Sequence, residues 1–120
     1  VIELPWPSGK LSPNARTHYA VKMKITKAHK EIGYFAAKTK AIDLDIPHSG
    51  KIPLKIVFHP PDRRHRDIDN CLSSSKSLLD GVALALGIND SRFRPITIDF
   101  SDVPFPKGKV EVFFETLPAL

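Results

Sequence analysis

A chain of 120 residues, 42% of them hydrophobic, holds enough apolar material for one modest core, so one domain over residues 1–120 is expected and a second within them is not. Eighteen Lys and Arg against thirteen Asp and Glu leave a formal charge of +5, which favours a polyanionic partner, nucleic acid first. A single cysteine, Cys71, rules out an internal disulfide, and no apolar run is long enough to cross a bilayer; the expected setting is cytoplasmic, with no membrane partner.

Ile2 and Leu4 open a short strand that ends at Pro5-Trp6-Pro7, and Ser8 to Arg16 reads as an ordered loop that Trp6 anchors to the core. From about Tyr19 to Ala41, Val21, Ile25, Ala28, Ile32 and Phe35/Ala36 recur at three and four residues, which predicts a helix with these side chains facing inward. Thr26 is an alternative N-cap that would shorten this helix. Leu54, Ile56 and Phe58 alternate as in a half-buried strand ending at Pro60-Pro61.

A second helix is predicted from Asn70 to Leu86, capped by Asp69 or Asn70, with Leu72, Leu79, Val82, Ala83 and Leu86 inward and Gly87 to stop it. Ile96, Ile98 and Phe100 alternate, as do Val110, Val112 and Phe114, giving two closing strands joined by the loop from Asp102 to Lys109. The order β-α-β-α-β-β implies an α+β two-layer sandwich, two helices on one face of a mixed sheet.

The chemistry is concentrated in Asp62-Arg63-Arg64-His65-Arg66-Asp67-Ile68-Asp69-Asn70. In an extended segment, residues two apart project to the same side, so Asp67 and Asp69 can present two carboxylates to a hard cation such as magnesium. A metal so held assists phosphodiester hydrolysis, because it activates water and offsets the charge gathering on the leaving oxygen. Arg63, Arg64 and Arg66 are candidate phosphate contacts, with neutralisation of the acids as the alternative. Asn14 and Arg16 are further DNA candidates, and Asn70 either caps the helix or orients a water. Lys76, seven residues after Asp69, would lean back towards the carboxylates along one helix face and stabilise developing charge.

A third acid, Asp90, follows the second helix. A helix of some seventeen residues is about 25 Å long, so Asp69 and Asp90 start at opposite ends of one rod. If the three acids share one ion, Asp90 comes from the partner in a symmetric dimer with antiparallel helices, or the connection folds far back. Plainer readings stand beside these. Asp69 and Asn70 suit a helix cap, Asp62 and Asp80 read as ordinary surface acids that pair with nearby cations, and the lysines of the first helix form a solvated outer arc, with DNA contact as the alternative. Cys71 lacks a His partner that would make it a nucleophile, and the five histidines show no zinc-like spacing.

The run Arg66-Asp67-Ile68-Asp69-Asn70, after Pro61-Asp62-Arg63-Arg64, resembles the D-x-D-N signature of RusA-type endonucleases, a family of Holliday junction resolvases common in phages and prophages. Leu4-Pro5-Trp6-Pro7, Ser12-Pro13-Asn14, Leu78-Leu79-Asp80-Gly81 and Gly87-Ile88-Asn89-Asp90-Ser91-Arg92-Phe93 extend the likeness along nearly the whole chain. The resemblance implies a homodimeric endonuclease that uses magnesium, with manganese able to substitute, and cuts four-way junctions or other branched DNA in recombination and repair. It also implies that Asp67, Asp69 and Asp90 are the metal-binding catalytic acids. The family lysine often stands six residues after the first aspartate, where this chain has Ser73; Lys76 stands nine after it. The competing expectations are a DNA-junction-binding module without catalysis, and a nuclease that prefers flaps, forks or RNA.

Overall fold

The computed structural model describes residues 1–40 and 45–115. Strands β1 (Ile2–Pro5), β2 (Ile52–His59), β3 (Phe93–Phe100) and β4 (Lys109–Phe114) form one mixed sheet in the order β1-β4-β2-β3. β4 runs antiparallel to β1 and β2, while β2 and β3 are parallel. A parallel pair needs a long crossover. The crossover here is helical, α2 (Ile68–Ser74) followed by α3 (Lys76–Leu86), and the remaining helix is α1 (Tyr19–Lys38). The fold is the expected α+β arrangement of helices on a mixed sheet.

Alternation sets the inner layer. Ile2 and Leu4 on β1, Leu54, Ile56 and Phe58 on β2, and Val110 and Val112 on β4 are all buried, and they join Leu78, Leu79, Val82 and Ala83 of α3 in one core. Ile96, Ile98 and Phe100 on the edge strand β3 are only half-buried. Phe58 is the hub at the site end of the sheet. Its ring stacks on Phe100 at 5.4 Å and meets the edge of Trp6 at 5.9 Å, which fixes the start of the early loop.

Three details depart from the pattern-based expectation. First, the second helix is two helices. Ser75 is buried, and its hydroxyl donates to the Cys71 carbonyl at 2.9 Å while its own amide is shared between Cys71 and Leu72. Such back-bonding interrupts a helix. Second, α2 begins at Ile68, so Asp67 occupies the N-cap position and Asp69 and Asn70 lie inside the first turn.

Third, α1 presents a different face to the core. Gly33 and Ala37 are its buried residues, with Ile25, His29, Tyr34 and Ala36 half-buried, whereas Val21, Ala28, Ile32 and Phe35 remain exposed. Glycine decides this. A Cβ on Gly33 would lie 2.0 Å from the Leu78 carbonyl oxygen, and one on Gly81 would lie 2.0 Å from that of Lys30. The backbones of α1 and α3 touch at these two glycines, an approach that larger side chains forbid. The helix starts at Tyr19 under a His18 cap, and Thr26 is an interior residue whose hydroxyl donates to the Lys22 carbonyl. Ala41 lies outside the described residues. At the other end of the crossover, Gly87 stops α3 in a left-handed conformation, φ 68°.

Candidate metal and nucleic-acid site

The turn between β2 and α2 is built around Asp62. Its carboxylate accepts the Arg64 amide at 2.9 Å, the Arg64 side chain through Nε and Nη2, and Arg66 Nη1 at 2.9 Å. Arg66 and then Arg64 hold the Asp62 carboxyl far below the usual carboxylate range. Arg66 also donates to the Asp62 and Arg64 carbonyls, and its guanidinium lies 5.3 Å from the Trp6 ring centroid. With its side chain only 16% exposed, Arg66 is committed to the turn; of the three arginines it is the least available to phosphate. Arg64 remains 81% exposed despite its pairing, and exposed Arg63 touches the Asp102 carbonyl at 3.4 Å. Asp62 thus pairs with nearby cations, as expected of it, and through them organises this loop. Asn14 and Arg16 sit exposed in the early loop.

Asp67 and Asp69 do not form an extended pair. Asp67 is extended, with ψ 136°, but Asp69 already lies in the α2 helix, so the two-residue alternation breaks between them. The Asp67 carboxylate makes no capping bond; it accepts from His65 Nε2 at 3.3 Å and Asn70 Nδ2 at 3.4 Å. Asn70 therefore serves the acid rather than the helix end. Asp69 is exposed and has no ion-pair partner among the described residues. Asp67 faces a cleft shared with Trp6, Gly9, Ser12, Asn70 and Cys71. Cys71 is buried, and burial pushes its thiol pKa up, which suits packing rather than nucleophilic attack.

Asp90 belongs to a second cleft, floored by Leu72, Leu79, Phe93 and Ile96. Lys76 Nζ stands 3.0 Å from both Asp80 Oδ1 and Asp90 Oδ2. The break at Ser75 puts Lys76 at the start of α3, facing one turn ahead to Asp80 instead of back to Asp67 and Asp69. Lys76 lowers the Asp90 pKa, and the pair of carboxylates raises that of Lys76. Asp80, read from the sequence as a surface acid that pairs with a nearby cation, does so with Lys76 at i, i+4 spacing. Asp90 itself sits in the 3-10 turn Asp90–Arg92, held by Asn89 Oδ1 on the Ser91 amide and by Arg92, which donates to the Gly50 and Pro47 carbonyls.

Each cleft therefore offers exposed carboxylate oxygens, the donor type a hard divalent cation takes. Among the described residues, no three acids, histidines or cysteines of one chain converge where a metal ion would sit. The chemistry of the donors fits magnesium, but one chain supplies the set in two separate parts. No helix of the described residues is long and apolar enough to cross a membrane.

No family model matches the chain. An uncharacterized protein of Xylella fastidiosa (strain Temecula1 / ATCC 700964) is 43% identical to it over 95 residues, which cover 77% of this chain and 61% of that protein. The chain thus spans less than two thirds of the length of this relative.

Proposed function

We propose that this chain is a divalent-metal-dependent endodeoxyribonuclease that cuts four-way junctions or other branched DNA as a homodimer in the cytoplasm, in recombination and repair. The observation that carries the reading is the division of the acids. Asp67 and Asp69 sit at the start of α2, whereas Asp90, although the chain after α3 folds back to bring it to Lys76, lies in a separate cleft and forms no metal-sized cluster with them among the described residues. Two chains related by a two-fold axis can unite one chain's Asp67 and Asp69 with the partner's Asp90, twice, and two such sites suit paired cuts in opposed strands. These acids would hold magnesium, or manganese in its place, and the ion when bound supplies an activated water and shields the charge on the scissile phosphate.

The other side chains take simpler parts. Asn70 and His65 hold the Asp67 carboxylate in one orientation. Lys76, once Asp90 turns towards an ion, is left beside the reacting phosphate as a counter-charge. DNA affinity comes from Arg63, Arg64, Asn14 and Arg16 and from Lys10, Lys22, Lys27 and Lys30 in the segment between Glu3 and Glu31, which has no acid.

Subunit mixing tests the shared site. Asp69→Asn and Asp90→Asn proteins are each expected to bind junctions without cutting them. Mixed after mild unfolding and refolding, they form heterodimers in which one site regains all three acids, and cleavage returns. If the mixture stays inactive while each protein still dimerises, the acids do not act across subunits. A chain that binds junctions but never cuts them under any divalent metal is a DNA-binding module instead.

A further inference from the structure

The exposed residues of α1 are spaced like an interface. Val21, Ile25, Ala28, Ile32 and Phe35 follow one another at intervals of four, three, four and three, the 3.5-residue average of a helix that packs along another helix. Within the chain this seam is largely unpaired. Val21 and Ile32 are each 41% exposed, Phe35 is 65% exposed, and Ala28 is open to solvent. The chain turns the Gly33 and Ala37 face inward and leaves the seam outside. Scattered exposed apolar residues need no explanation, but a register of five on one helix does.

We infer that a second copy of this chain docks on that seam, with the two α1 helices antiparallel. This rests on the homodimer proposed above and names its contact surface. Charge selects the occupant and the direction. Glu31 is the sole acid of α1, and it flanks the seam on the same side as Lys24, seven residues earlier. An antiparallel pair matching Val21 with the partner's Ile32 and Ile25 with the partner's Ala28 sets each Glu31 beside the partner's Lys24. A parallel pair in the same register leaves Glu31 opposite the partner's Ala36. Lys27 and Lys30 point away from the seam in either case. Both Lys24 and Glu31 are exposed in the single chain, so exchanging their charges leaves the fold untouched.

Equilibrium sedimentation of the full chain without DNA reads the dimer directly, with circular dichroism as the check on folding. Glu31→Lys sets two lysines together at two places and is expected to raise the dimer dissociation constant about tenfold or more. Adding Lys24→Glu restores opposite charges at both places and is expected to recover the wild-type constant. A wild-type monomer, or a dimer that Glu31→Lys leaves unchanged, overturns the seam. So does a folded double variant that fails to recover, because a general loss of charge balance rather than pairing then explains the single variant. A wild-type monomer whose DNA affinity alone responds to Glu31→Lys assigns this face to nucleic acid. Cleavage plays no part in the measurement. Failure of the nuclease reading leaves the seam standing, and an unchanged dimer removes the seam without touching the nuclease.

Discussion

Gly33→Ala puts a methyl group where the backbones of α1 and α3 meet. The added Cβ would lie 2.0 Å from the Leu78 carbonyl oxygen and 2.9 Å from its carbonyl carbon, and neither atom can swing aside as a side-chain tip would. The helices must separate by roughly 1 Å along their contact, and overpacking of this kind costs about 3 kcal/mol. Alanine returns about 1 kcal/mol through its better helix propensity, so the net loss is about 2 kcal/mol. For a domain of this size that lowers the melting temperature by about 8 °C. Gly81→Ala meets the Lys30 carbonyl at the same 2.0 Å and should behave alike, whereas Gly9 has nothing within 4 Å and Gly9→Ala is the control, expected to change stability by less than about 0.5 kcal/mol. Thermal unfolding by circular dichroism reads all three. If Gly33→Ala melts at or above wild type while Gly9→Ala is silent, the close crossing of α1 and α3 is wrong.

The arginines of the Asp62 turn should separate by role. Arg66→Ala is expected to lower the melting temperature, and Asp62→Asn combined with it should add little, because both remove the same clamp; additive losses would contradict the clamp. Arg64→Ala should leave stability nearly unchanged while weakening DNA binding and reducing its dependence on salt, as filter binding across a salt series would show. His29 Nε2 accepts the Ser8 amide at 3.0 Å, and burial lowers the His29 pKa below its ordinary value of 6.5. The unfolded chain therefore binds a proton more readily there, so this stabilisation is present above about pH 6.5 and is lost as the pH falls through the folded value. His29→Gln keeps an acceptor that does not titrate, and its melting temperature should fall less than that of wild type between pH 7 and 5. Parallel curves would exclude His29 as the cause.

The strands were legible because alternation reports directly which side of a sheet is buried: Leu54, Ile56 and Phe58 could hardly lie otherwise. The stop at Gly87 was equally plain. The inner face of α1 was not. Hydrophobic spacing pointed to Val21, Ile32 and Phe35, yet glycine, alanine and histidine line the side that packs, since a close helix crossing selects for small size rather than apolarity. The helix break was hidden because Ser73-Ser74-Ser75 is compatible with a continuous helix until the Ser75 hydroxyl takes the Cys71 carbonyl. That break also misdirected Lys76, whose partners are Asp80 and Asp90. Helix length put Asp69 and Asp90 at opposite ends of one rod, but the rod is broken at Ser75 and the chain after α3 folds back, so that Asp90 meets Lys76 at the start of that helix. Which arginine holds the turn and which faces solvent depended on Trp6, sixty residues away from Arg66 in sequence and beside it in space.

The most direct measurement is cleavage of a synthetic four-way junction and a matched linear duplex, in magnesium or in EDTA, by wild-type protein and Asp69→Asn. Junction-selective cutting that requires magnesium and disappears in the variant, with junction binding retained, is the result this account predicts. Binding without cutting by the wild type, or cutting that survives Asp69→Asn, contradicts it.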